Sequence, residues 1–95
     1  MEPGQMTESL TVRRKRLIYR SRYRGSLESD VFFGRFADLY VDRLDERQLD
    51  RYEALLEEND QDLFAWISGR AAVPARHAHD IFVLLQRFQP ARVLR

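Results

Sequence analysis

The stretch Arg24-Gly25-Ser26-Leu27-Glu28-Ser29-Asp30-Val31-Phe32-Phe33-Gly34-Arg35-Phe36-Ala37-Asp38-Leu39-Tyr40 decides the fold of this chain. Leu27, Val31, Phe32, Phe33, Phe36, Leu39 and Tyr40 recur mostly three and four residues apart, whereas a strand would need alternation. The pattern predicts a helix beginning at about Ser26, whose hydroxyl can cap the first backbone N–H groups. Its Phe-rich width predicts a helix buried over much of its circumference and central to the molecule. Gly25, just before it, enters the left-handed backbone region freely and so closes whatever helix precedes it.

On the N-terminal side a first helix is expected from about Ser9 to Tyr23, with Leu10, Leu17 and Ile18 as a thin apolar stripe. On the C-terminal side Asp45 and Gln48 stand in the spacing of a capping box, and Leu49, Tyr52, Leu55 and Leu56 follow on one face. Glu57-Glu58-Asn59-Asp60 closes that helix; acidic residues there oppose its dipole and are better placed at the start of the next helix, with Asp60 as its cap. Leu63, Phe64, Trp66 and Ile67 belong to this fourth helix, which stops at Gly69. Pro74 suits the first turn of a last helix, with Ala78, Ile81, Phe82, Leu85 and Phe88 inward. The expected fold class is all-α: a compact single-domain bundle of about five short helices over residues 9–89. Residues 1–8 are expected as a flexible lead and 90–95 as a tail. Short links favour antiparallel neighbours.

A chain of 95 residues fits one domain that buries roughly 60–65% of its unfolded surface, enough for one modest core. It has no cysteine, which excludes disulfides, thiolate zinc sites, iron–sulfur clusters and redox thiols. No run approaches the roughly 20 apolar residues of a membrane span, so membrane insertion is not expected. The N-terminus carries neither a signal-peptide pattern nor an Arg-rich presequence, and the expected location is cytoplasmic. The net charge of +1 hides an asymmetry. Arg13 to Arg24 holds seven basic residues and no acidic one, and Gly25 to Asp62 holds twelve acidic and four basic. Such patterning reports on partners.

The basic run has two readings. Arg13, Arg16, Arg20 and Arg24 share one helix face and could bind phosphates, making the chain a basic helical nucleic-acid-binding module. Alternatively the face pairs with the acidic middle of the chain. The absence of a helix-turn-helix pattern and of zinc ligands weighs against nucleic acid. His77 and His79, two residues apart, point to different helix faces and are expected as surface residues with structural roles rather than metal ligands. No nucleophile elbow, phosphate loop or dinucleotide fingerprint occurs, so no catalytic or cofactor-binding residue is assigned. Trp66, with Phe64 and Ile67, is expected in the core.

The turn Arg24-Gly25-Ser26-Leu27-Glu28 is balanced between two readings. As a corner, it sets a cation at one helix C-terminus and an anion at the next N-terminus, and Arg24 could pair with Glu28. As a contact site, Gly25 lets a partner backbone approach closely, with Arg24 and Glu28 as polar anchors.

The run from Arg16 through Arg24-Gly25-Ser26-Leu27-Glu28-Ser29-Asp30, the Phe-rich helix to Phe36, Leu55-Leu56 and Asp62-Leu63-Phe64-Ala65-Trp66 together resemble the SdhE family, the succinate dehydrogenase assembly factor 2 proteins, whose signature is Arg-Gly-x-x-Glu. The resemblance covers about Arg13 to Phe88. It implies a non-enzymatic, chaperone-like FAD assembly factor. Such a protein binds the flavoprotein subunit of succinate dehydrogenase, in some bacteria also of fumarate reductase, and promotes covalent attachment of FAD to a histidine there. It implies partner binding through Arg24, Gly25 and Glu28, with Tyr19, Arg22 and Asp30 as further contacts. Ser26 departs from the larger apolar residue frequent at that variable position. No stably bound cofactor and a monomeric state are expected. A cytoplasmic bacterial member fits the N-terminus better than a processed mitochondrial-matrix form.

Overall fold

The computed structural model describes residues 8–88. They form five α-helices: α1 (Leu10–Arg22), α2 (Leu27–Tyr40), α3 (Glu46–Leu56), α4 (Asp60–Ile67) and α5 (Asp80–Arg87). Single 3-10 turns at Val41–Arg43 and Ala75–His77 precede α3 and α5. Among the described residues there is no strand. The expected lead, apart from Glu8, and the expected tail lie outside the described residues.

Local chemistry starts the helices. Ser9 Oγ accepts from Val12 N and Ser26 Oγ from Ser29 N, at 3.1 and 3.2 Å. The Asp45–Gln48 capping box is complete, with reciprocal bonds of 2.8 and 3.0 Å. At α4 the cap is Asn59, not Asp60: Asn59 Oδ1 accepts from Asp62 N at 2.8 Å. Asp60 is thereby the first helical residue, and its carboxylate is used elsewhere. Gly69, at φ 83°, ends α4 in the left-handed region.

The last helix is shorter than Pro74 suggested. Ala78 has left the helical region (φ −83°, ψ 77°), and the extended His79 caps α5 by accepting Phe82 N at Nδ1. Ala78 is consequently exposed rather than inward.

The buried core is built from Leu17 of α1, Phe33 and Phe36 of α2, Leu49, Tyr52 and Leu55 of α3, Leu63 of α4 and Ile81 and Leu85 of α5. Each such side chain contributes about 1.5–3 kcal/mol through its removal from water. Helix α2 is central as expected. Its Phe32 ring meets Phe64 and Phe88, each at 5.5 Å, and Phe36 meets Tyr52 at 5.3 Å. Its burial is narrower than expected, because Leu27, Val31 and Leu39 lie on the face that no other described helix covers, with Leu27 81% exposed. Gly34 lets the end of α1 pack tightly on α2; a Cβ there would lie 3.3 Å from Arg22 Cγ.

Three buried polar residues, Ser21, Ser29 and His77, escaped the sequence pattern. Ser21 Oγ donates to Leu17 O at 2.7 Å and lies 2.6 Å from Tyr52 Oη. Burial pushes the Tyr52 phenol well above its usual range. His77, expected at the surface, is buried; its Nε2 lies 2.7 Å from Glu58 Oε2, and its ring packs beside Trp66 at 5.7 Å. Trp66 itself is half-buried at the edge of the core rather than inside it.

Candidate functional site

Helices α1 and α2 meet at the Tyr23–Ser26 turn, where Gly25 takes φ 120°. That value is strained for any L side chain, so glycine is required by the backbone itself. A Cβ added at Gly25 would meet nothing within 4 Å, which leaves the residue open to an approaching partner.

The six residues expected at the partner surface divide into two groups. Arg24 is internal, with its side chain only 9% exposed. Its guanidinium donates to Leu56 O at 2.6 Å, to Glu58 O at 2.8 Å and to Asp60 Oδ1 at 2.8 and 3.0 Å, and it lies over the Phe33 ring at 5.3 Å. It satisfies carbonyls left open at the end of α3 and neutralises the first residue of α4. Asp30 also works from inside: its Oδ1 accepts the backbone N–H groups of Arg24 and Gly25, the latter at 3.1 Å. These two side chains hold the turn rather than face outward, and the expected Arg24–Glu28 pair is replaced by Arg24–Asp60.

Gly25, Glu28, Tyr19 and Arg22 face solvent. Tyr19 is 63% exposed and packs at a tilt against Tyr23 with ring centroids 4.6 Å apart. Arg22 pairs with Asp38 at 2.8 Å. The Glu28 carboxylate has no hydrogen bond or ion pair among the described residues. With Leu27 and Val31, these side chains make a part-apolar, part-charged surface around a rigid corner.

Sequence reasoning missed the role of Asp60, which it used only as a cap, and the exposure of Leu27. No sequence signal could assign Asp60 to Arg24, since the two are 36 residues apart. A groove of about 780 Å³ runs beside the turn, between Ser26 and Glu28 on one side and Gln61, Phe64 and Ile67 of α4 on the other.

The arginines of the basic face, Arg13, Arg16 and Arg20 like Arg24, are paired with carboxylates of this same chain. Arg13 pairs with Asp50 and Glu53 at 2.7 and 2.9 Å, Arg16 with Glu53 and Glu8 at 2.9 and 2.8 Å, and Arg20 with Glu57 at 2.8 Å. Burial alone would raise the Glu53 carboxyl, but bonds from Arg16 and Arg13 outweigh it and hold the group below the usual carboxylate range. The acidic middle of the chain thus meets the basic helix, and the pairing reading of the basic face is the one this geometry supports. Among the described residues no three His, Cys, Asp or Glu side chains are grouped to hold a metal ion. No described helix is long and apolar enough to cross a membrane.

Fold and site together define a small all-helical protein that presents one rigid, glycine-centred corner. The family model described as flavinator of succinate dehydrogenase matches residues 15–89, and the chain belongs to that family. It is similar to the mitochondrial succinate dehydrogenase assembly factor 2 of Debaryomyces hansenii, 38% identical over all of this chain and 62% of that protein. It is also similar to those of Mycosarcoma maydis, 40% identical over 81% of this chain and 32% of that protein, and of Dictyostelium discoideum, 42% identical over 77% and 52%. The chain therefore spans between about a third and two thirds of the length of these relatives.

Proposed function

We propose that this chain is an assembly factor that binds the flavoprotein subunit of succinate dehydrogenase and promotes the covalent attachment of FAD to it. One observation carries the reading: in a member of the flavinator family, the Gly25–Glu28 corner is braced from within by Arg24 and Asp30 and left open on the outside. A corner so held can meet a partner without first being ordered, which saves binding energy for work on the partner.

The mechanism follows from the absence of need for chemistry in the helper. The flavin and the flavoprotein supply the reacting groups. The bundle binds the FAD-loaded but immature flavoprotein and favours the conformation that sets the acceptor histidine against the flavin. A helper shifts that equilibrium only by its differential affinity for the competent state. Each 1.4 kcal/mol or so of such preference is about tenfold in the competent population or in rate. Gly25 is the point of closest approach, Glu28 an outward polar anchor, and Tyr19 and Arg22 flank them. Arg24 and Asp30 act by fixing the corner.

Co-expression with the flavoprotein subunit, followed by in-gel flavin fluorescence after denaturation, tests the reading. More covalent flavin with this protein than without it is expected; equal fluorescence refutes it. Running the fumarate reductase flavoprotein in parallel shows whether the chain serves one partner or two.

A further inference from the structure

We propose that the groove between the start of α2 and helix α4 seats a segment of the flavoprotein that presents a basic side chain to Glu28 beside an apolar one over Phe64 and Ile67. This deepens, and rests on, the reading that the chain binds a flavoprotein subunit. Three observations support the assignment.

The first is size. A space of about 780 Å³ is as large as a typical small-molecule pocket of roughly 300–1,000 Å³, which gives room for the few side chains of a docking segment. The second is rigidity. One wall is the Ser26–Glu28 start of α2 and the other is α4, and the inward-turned Arg24 side chain links them. Its guanidinium reaches the Leu56 and Glu58 carbonyls and the Asp60 carboxylate, across the junction of α3 and α4, while its own backbone N–H is held by Asp30 of α2. The groove is therefore preformed, and its occupant binds without reordering either wall.

The third is charge. Three charged side chains line the groove, Asp60, Glu28 and Arg70, and they differ. Asp60 is engaged by Arg24 at 2.8 Å, whereas Glu28 has no partner among the described residues and stands exposed at the rim. Arg70 bonds the Ser68 hydroxyl at 3.0 Å and has no carboxylate partner among the described residues, so the charge preference is local: the Glu28 carboxylate accepts a charge-assisted hydrogen bond from one incoming Lys or Arg side chain. The half-buried Phe64 and Ile67 beside it offer an apolar floor to the neighbouring side chain.

The test measures the dissociation constant of the purified, FAD-loaded flavoprotein subunit against wild type and four variants, across a salt series. Gln61→Trp and Ser68→Tyr fill the groove from exposed positions at its two ends. Gln86→Trp, in a second groove lined by Val73 and Phe82, is the control, and Glu28→Gln removes only the charge. Helical signal and melting temperature verify that each variant folds; two fillers guard against the loss of one.

The fillers are expected to weaken binding at least about tenfold, as blocked anchor sites do, with the control within about twofold. Glu28→Gln is expected to weaken binding severalfold and flatten its salt dependence. Wild-type affinity in both folded fillers overturns the groove while leaving the proposed function standing. Unchanged or tighter binding by Glu28→Gln overturns the basic occupant. Failure of the wild type itself to bind overturns the proposed function and this inference together.

Discussion

The internal position of Arg24 makes a sharp prediction. Replacing it by Met keeps much of the aliphatic stem but removes the guanidinium, and with it the bonds to Leu56 O, Glu58 O and Asp60 Oδ1. Hydrogen bonds to a charged group contribute about 1.5–3 kcal/mol each in isolation, but they are not additive, and the freed carbonyls at the end of α3 recover some water. Breaking a buried ion pair by removing one partner costs about 3–5 kcal/mol. Asp60 is 27% exposed, so solvent relieves part of that cost, and about 3 kcal/mol is the expected loss. For a domain of this size 1 kcal/mol moves the melting temperature by about 4–8 °C, so a fall of roughly 12–24 °C is expected. Thermal and urea unfolding followed by circular dichroism measure it. Arg24→Lys, which keeps one charge but not the fork, should regain less than half of the loss. A folded Arg24→Met variant that melts within about 3 °C of wild type and yet fails to bind the flavoprotein would refute the brace and return Arg24 to the contact surface.

Glu28→Ala changes an exposed side chain without described partners, so stability should stay within about 0.5 kcal/mol while covalent flavin on the co-expressed flavoprotein falls. Gly25→Ala, at φ 120°, should cost about 1–2 kcal/mol from backbone strain alone, so its loss of activity must be read against its melting curve. Gly34→Leu forces carbon into a space already 3.3 Å from Arg22 Cγ, and should cost about 1–3 kcal/mol by chemical denaturation. The melting temperature should fall with acid in two stages. Burial first, and then the charge of Arg51, holds His79 below its ordinary value of 6.5. The unfolded chain therefore takes up that proton more readily, and the stability present above pH 6.5 is lost as pH falls through the folded value. His79→Asn keeps a capping acceptor without titrating and should flatten this first stage. Glu8 and Glu58, held down chiefly by bonds from Arg16 and His77, and Glu53 by Arg16 and Arg13 against its burial, contribute above pH 4.5 and lose that contribution below it.

The sequence by itself determined the helices and their order. Capping boxes, glycine stops and three-and-four spacings are set by neighbours within one turn of chain, so Ser26, Asp45–Gln48 and Gly69 could be read directly. It also carried the family resemblance around Arg24–Glu28. Where two local signals competed, the local reading failed. Asn59 rather than Asp60 capped α4, and His79 rather than Pro74 began α5.

Only the tertiary structure decided which way the site residues face. Arg24 is turned inward by Asp60 and two carbonyls more than 30 residues away, and the α1 arginines are matched to Glu53 and its neighbours at similar distances along the chain. Leu27 and Val31 obey the apolar period but stand exposed, because burial depends on whether another helix covers that face of α2. Exposure and long-range pairing are properties of the packed molecule. A single sequence specifies them through the whole fold, not through any segment that can be read alone.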